Sequence, residues 1–163
     1  MPEIRELLFG RNPRRTTVRI LVLLAVTWIL LGWVLIPIKT DGISMEPTYS
    51  SGSFNFVNRL AYRFSTPSRG DIVAIRLTGP HVLFVKRIIA LPGERIAIQG
   101  GEVFINGAPL LEPYVHYRKP WELPEVAVGA DEYFVIGDNR GMNAADHKFG
   151  RIDAARIVGR IVY

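Results

Sequence analysis

The chain contains no cysteine. Disulfides, thiolate metal sites and a cysteine nucleophile are thereby excluded, although no compartment is identified. Histidine is scarce as well: His81, His116 and His147 are the three in the chain. None belongs to an HExxH pair, so no metal site is expected. Internal repeats and low-complexity tracts are absent. The net charge is +5, but the one dense basic cluster, Arg5, Arg11, Arg14, Arg15 and Arg19, lies near the amino end. Elsewhere bases are scattered, so no nucleic-acid partner is expected, and anionic lipid accounts for the cluster.

What the chain has in excess is apolar surface. With 48% hydrophobic and 21% charged residues, it is too apolar for disorder and rich for a small soluble domain. Length favours a single globular body. Residues 20–38, "ILVLLAVTWILLGWVLIPI", have one threonine and two indole N–H groups as their only side-chain polarity. At about 1.5 Å per residue, such a helix crosses roughly 30 Å of hydrocarbon. A buried core helix would need more surrounding protein than this chain offers. A cleavable signal peptide, with "GIS" at 42–44 as its site, would have a shorter apolar region. The basic residues before the span, against Lys39 alone just after it, place the amino end in the cytoplasm. The expected organisation is a basic segment 1–19, a transmembrane helix 20–38 and an extracytoplasmic domain 39–163.

Past residue 39, short apolar and β-branched runs alternate with glycine, proline and asparagine turns. "SFNFV", "DIVAIRL", "VLFVKRIIAL", "RIAIQ", "EVFIN", "EYFVIG" and "ARIVGRIVY" read as strands of a mostly-β body. Gly100-Gly101 and Asn106-Gly107 supply tight turns. Residues 111–130, which include Trp121, read as loop. The triplet Arg69-Gly70-Asp71 could be taken for an adhesion motif, but it opens a strand and its glycine suits a turn.

A serine hydroxyl is a weak nucleophile until a base takes its proton. His147, with Asp146 or Asp138, could complete a Ser-His-Asp set, although no spacing favours it. Lysine is the other choice. At its ordinary pKa only about 0.04% is neutral at pH 7, and reaching neutrality requires a drop of roughly 3 units, about 4 kcal/mol, which burial can supply. Lys86 lies within "VLFVKRIIAL", and in a strand Val82, Phe84, Lys86 and Ile88 share one apolar face while Arg87 takes the other. A lysine snorkelling to solvent is the competing reading.

Four segments in order resemble the type I signal peptidases, membrane-anchored Ser-Lys endopeptidases: "SMEPT" at 44–48, "RGDIVAI" at 69–75, "KRIIALPGE" at 86–94 and "GDNR" at 137–140. With the single span, they cover nearly the whole chain. The resemblance implies that family's coiled antiparallel β-sheet body behind one amino-terminal transmembrane helix, with Ser44 as nucleophile, Lys86 as general base and no cofactor. It further implies an acyl-enzyme, and an oxyanion held by the Ser44 backbone N–H. Gly42 stands where some relatives supply a serine hydroxyl, so a second donor is backbone, near Gly42, or water. Met45, Phe84 and Val85 fall where the family lines its small-residue pockets, which implies Ala-x-Ala-like cleavage sites in preprotein substrates, bound as an added strand. Met45 and Phe84 also suit a core.

The last box departs from the family. In "GDNRGMNAADHKFG", Asp138, Asn139 and Arg140 match, but Asn143 replaces the serine that bonds the lysine and Ala145 replaces an aspartate. Asp146 follows one place later, with His147 as a possible partner in place of arginine. Asn143 is expected to orient Lys86. The implied setting is the outer face of a bacterial cytoplasmic membrane, with the lipid bilayer as a partner and the oligomeric state open. A processing peptidase dedicated to one secreted substrate, such as a conjugation pilin, and a non-catalytic domain binding signal peptides or translocon components are the alternatives.

Overall fold

The computed structural model describes residues 12–78 and 82–162. His81 and residues 1–11 of the expected basic segment lie outside them. Helix α1, Pro13–Ile29, starts at Asn12, whose side chain accepts the Arg15 N–H at 3.4 Å, with proline in the first turn. It runs on as a π-helical turn, Leu30–Val34. These 22 residues, Pro13–Val34, are long and apolar enough to cross a bilayer, and none of their most apolar window is buried against the protein. A core helix would be covered, so that alternative fails.

The helix ends earlier than the apolar run does. Residues Leu35–Lys39 form strand β1, paired antiparallel with β2, Phe54–Asn58, from Leu35 opposite Asn58 to Lys39 opposite Phe54. Pro37 explains the correction: it has no N–H to give a helix, and it disfavours helical backbone at Ile36. Hydropathy alone cannot separate such a strand from the span before it.

The remaining strands are β3 Ile72–Thr78, β4 Val82–Ala90, β5 Arg95–Gln99, β6 Glu102–Ile105, β7 Ala108–Pro109, β8 Leu123–Ala127, β9 Glu132–Ile136, β10 Gly150–Asp153 and β11 Ile157–Val162. They make a seven-stranded sheet in the order β1-β2-β11-β3-β4-β9-β10 and a four-stranded sheet in the order β7-β6-β5-β8. The neighbouring strands run antiparallel. The expected mostly-β body is therefore present. Residues 111–130, however, are not all loop: β8 pairs with β5, and Trp121 is buried with its indole N–H donating to the Met142 carbonyl. Pro124 disguised β8, and an edge strand tolerates it.

Strand β4 is central because both its faces are buried. Ile88 packs with Val73, Ile75 and Val135 on one side. Ile89 packs with Ile96, Ile98 and Phe134 between the two sheets. Each such isoleucine contributes about 1.5–3 kcal/mol of burial, which fixes the strand that carries Lys86. The Arg69-Gly70-Asp71 triplet is used internally. Arg69 pairs with Glu94 at 2.5 Å, the Gly70 N–H donates to Ile88 O, and Asp71 accepts from Tyr62 and from the Ser68 N–H.

Candidate active site

Between β1 and β2 the chain doubles back through residues 40–53. Thr40 N–H donates to Ser53 O, Gly52 N–H to Thr40 O and Tyr49 N–H to Met45 O. Gly42, at φ +93°, takes a left-handed conformation that a side chain would strain. Met45 is buried with Tyr49, Val57, Ala74 and Ile161, so the residue after Ser44 is an anchor of the core. From the far side, Asn139 clamps the same turn: its N–H donates to Ser44 O at 3.1 Å and its side-chain amide to Ile43 O at 3.0 Å.

These constraints place Ser44 against β4. Lys86 Nζ donates to Ser44 Oγ at 2.6 Å. Lys86 is 3% exposed, opposite Val73 in the β3–β4 ladder. Burial lowers its pKa to about 8, Lys148 pushes in the same direction, and Asp138 opposes. A lysine snorkelling to solvent is not what the chain builds. The neutral fraction at pH 7 rises from below 0.1% to roughly 10%.

Asp138 is buried beneath the site. It accepts Arg87 Nε at 2.9 Å and Arg87 Nη2 at 2.6 Å, together with the Thr48 hydroxyl at 2.5 Å. Arg87 also donates to Gly70 O and lies 3.9 Å over the Tyr114 ring. Two consecutive β4 residues thus face opposite ways, the lysine to Ser44 and the arginine to a carboxylate that ties together residues 48, 87 and 138. Arg140 is buried too, paired to Glu112 through Nη2 at 2.5 Å and donating from Nε to Gly137 O at 3.0 Å.

The rest of the last box is arranged differently from expectation. Asn143 does not orient Lys86: its side-chain oxygen accepts Lys119 Nζ at 2.8 Å and its amide donates to Asp146 at 3.3 Å. Residues 144–146 form a 3-10 turn that carries both side chains outward. Asp146 has no pairing with His147, whose ring nitrogens are buried without a hydrogen-bond partner, so neither Ser-His-Asp arrangement is assembled. The Gly42 N–H, one candidate for the second oxyanion donor, is given to the Ser51 hydroxyl at 3.2 Å.

A cleft of about 460 Å³ opens on Ser44, with Ile38 and Gly42 on one wall and Leu83, Phe84 and Val85 on the other. Phe84 and Val85 are half-buried there, while Met45 borders the cleft from within the core. Sequence reasoning did not single out Arg87, Thr48, Glu112 or Gly137. The first two lie inside quoted boxes, where an arginine beside the lysine and a threonine after the proline were readable signals. Glu112 carries no such signal. No group of ligating side chains able to hold a metal occurs among the described residues.

Residues 14–163 match the family model described as signal peptidase, peptidase S26. The chain belongs to this family. It is 36% identical over 127 residues to signal peptidase I of Leptolyngbya laminosa, covering 73% of this chain and 63% of that protein. Identity is 35% to the probable signal peptidase I-2 of Synechocystis sp., over 72% of this chain and 56% of that protein, so the chain spans about three-fifths of the length of these two relatives. It is also 36% identical to signal peptidase I V of Bacillus subtilis, over 78% and 84% of the respective chains. A crystal structure of a signal peptidase I from Enterococcus faecalis matches with 27% identity and a TM-score of 0.47, over 60% of this chain and 98% of that one.

Proposed function

We propose that this chain is a membrane-anchored serine endopeptidase that removes signal peptides from exported preproteins. The observation that carries this reading is the 2.6 Å contact between Ser44 Oγ and a buried lysine amine whose pKa lies near 8. Neutral Lys86 takes the Ser44 proton as Oγ attacks the scissile carbonyl. The ammonium then protonates the departing amine, leaving an acyl-enzyme. In the second half, Lys86 takes a proton from water, the hydroxide attacks the ester, and the proton returns to Ser44 Oγ as the acid leaves. No external proton donor is consumed across the cycle. The Ser44 N–H, at the start of the turn, is the first candidate to hold the tetrahedral oxyanion.

The cleft favours an extended peptide laid beside residues 83–85, because backbone pairing gives affinity and alternate side chains enter the walls. Small side chains fit beside Phe84 and Val85, in keeping with Ala-x-Ala-like termini. For placement, α1 spans the bacterial inner membrane, with Arg14, Arg15 and Arg19 on the cytoplasmic side and the β body outside. Residues 1–19, 20–38 and 39–163 divide accordingly, except that residues 35–38 belong structurally to the β body.

The test is cleavage of a panel of unrelated preproteins by the full chain in detergent. Ser44→Ala and Lys86→Arg should each abolish cleavage while the protein stays folded, since arginine keeps the charge but cannot be deprotonated. Turnover retained in Lys86→Arg would end the general-base assignment. Cleavage of one preprotein alone would favour the dedicated processing enzyme.

A further inference from the structure

His147 is a buried titratable side chain that the reaction just described leaves unused. It is 2% exposed, and neither Nδ1 nor Nε2 has a hydrogen-bond partner. Its ring is held edge-on by Trp121, with centroids 5.0 Å apart, and lies 6.1 Å from the Phe149 ring. The charged groups facing it are Lys86 and Arg140.

Gly137 shows which way the ring points. A Cβ on that glycine would stand 2.7 Å from both Cε1 and Nε2 of His147, and it would also collide with the Ser44 carbonyl oxygen. The Cε1–Nε2 edge of the ring and the carbonyl of Ser44 therefore converge on the space that a missing side chain leaves open. That carbonyl has two lone pairs, and the Asn139 N–H uses one.

We propose that His147 is a positioning residue for the nucleophile: its neutral ring braces the Ser44 carbonyl through the Nε2 edge and so holds Ser44 Oγ on Lys86. The inference rests on the Ser-Lys reading above. Burial, then the Lys86 and Arg140 charges, lower the His147 pKa to about 4 against a weaker opposing pull from its approach to the Ser44 backbone, so the ring stays neutral wherever Lys86 is active and adds no competing cation. The sequence supplies a reason for the arrangement. Asn143 is turned out to Lys119 and the Asn139 N–H fills one lone pair of the Ser44 carbonyl, so a second brace from this segment falls to another side chain. His147 is the buried polar side chain between 141 and 149.

The test compares His147→Phe, which keeps the packing on Trp121 but deletes both nitrogens, with His147→Gln, which restores an N–H donor. His147→Phe is expected to melt within a few degrees of the parent and to lose about 100-fold in kcat with KM little changed, the scale of a displaced reacting group. His147→Gln should recover part of that loss, and the acid limb of the pH profile should stay in place in both. Parental kcat in a folded His147→Phe variant would overturn the proposal while leaving the Ser-Lys assignment intact. Imidazole ¹⁵N NMR of the unmodified full chain in detergent keeps the idea testable if the variants do not fold. One neutral tautomer protonated at Nε2, with slow N–H exchange, supports the brace; a fast-exchanging proton or the Nδ1–H tautomer refutes it.

Discussion

Replacing Lys86 by methionine should make the protein more stable as it makes it inactive. The folded state holds an amine whose pKa falls from 10.5 to about 8 because it is buried. Below pH 8 both folded and unfolded chains carry the charge, and holding it in the interior costs the difference, about 3 kcal/mol. Between pH 8 and 10.5 the folded chain binds fewer protons than the unfolded one, so stability rises with pH across that window. Above it both forms are neutral and the penalty is gone. Methionine has similar volume and no charge. It removes the penalty and forfeits the hydrogen bond to Ser44 Oγ, worth about 1 kcal/mol, leaving a net gain of about 2 kcal/mol at pH 7. Denaturation in detergent, followed by the fluorescence of buried Trp121, would measure it. The gain should vanish by pH 10.5. A Lys86→Met variant no more stable than the parent at pH 7, or equally favoured at both pH values, would refute the claim that the amine is held against its charge.

The same lysine sets the pH dependence of catalysis: kcat/KM should fall about tenfold per unit below pH 8 and level off above it, and a profile flat from pH 5 to 9 would contradict the base. Glu112→Gln should destabilise the body by about 3–5 kcal/mol in thermal melts, because Arg140 is left buried without its counter-charge. Gly137→Ala should cost about 100-fold in kcat in the preprotein assay, since its Cβ would force the Ser44 carbonyl aside.

The strand behind the Ser44–Lys86 contact was legible because β4 announces itself. A single amine inside an apolar run with two-residue periodicity marked the strand and an apolar face for Lys86, and the family resemblance, not the pattern, joined it to Ser44. Strands β2, β3, β5, β6, β9 and β11 were equally plain, each bounded by turn residues. Elements at the margins were harder to read. Strand β1 hid in the apolar run because a membrane-spanning helix and a buried strand use the same residues, and only Pro37 separates them. Strand β8 pairs with β5, far back in the chain, and the four-residue β10 is too short to carry a pattern. The last box misled for a different reason. Position in a motif predicts where a backbone passes, but a 3-10 turn at 144–146 rotates Asn143 outward, and no local property of asparagine foretells that rotation. Arg140 and Glu112 meet inside the body across a separation that one sequence cannot reveal.

Helix α1 passes into β1 through a single π turn with no intervening loop, and Ser44 follows five residues after that strand. There is little slack between the apolar helix and Ser44. Under the proposed anchoring, the height at which the hydroxyl rides above the lipid is set by one five-residue strand, about 17 Å long. On that proposed reading the enzyme would measure its substrate from the membrane outward, and a cleavable bond carried too near the lipid or too far from it would pass out of reach whatever its sequence.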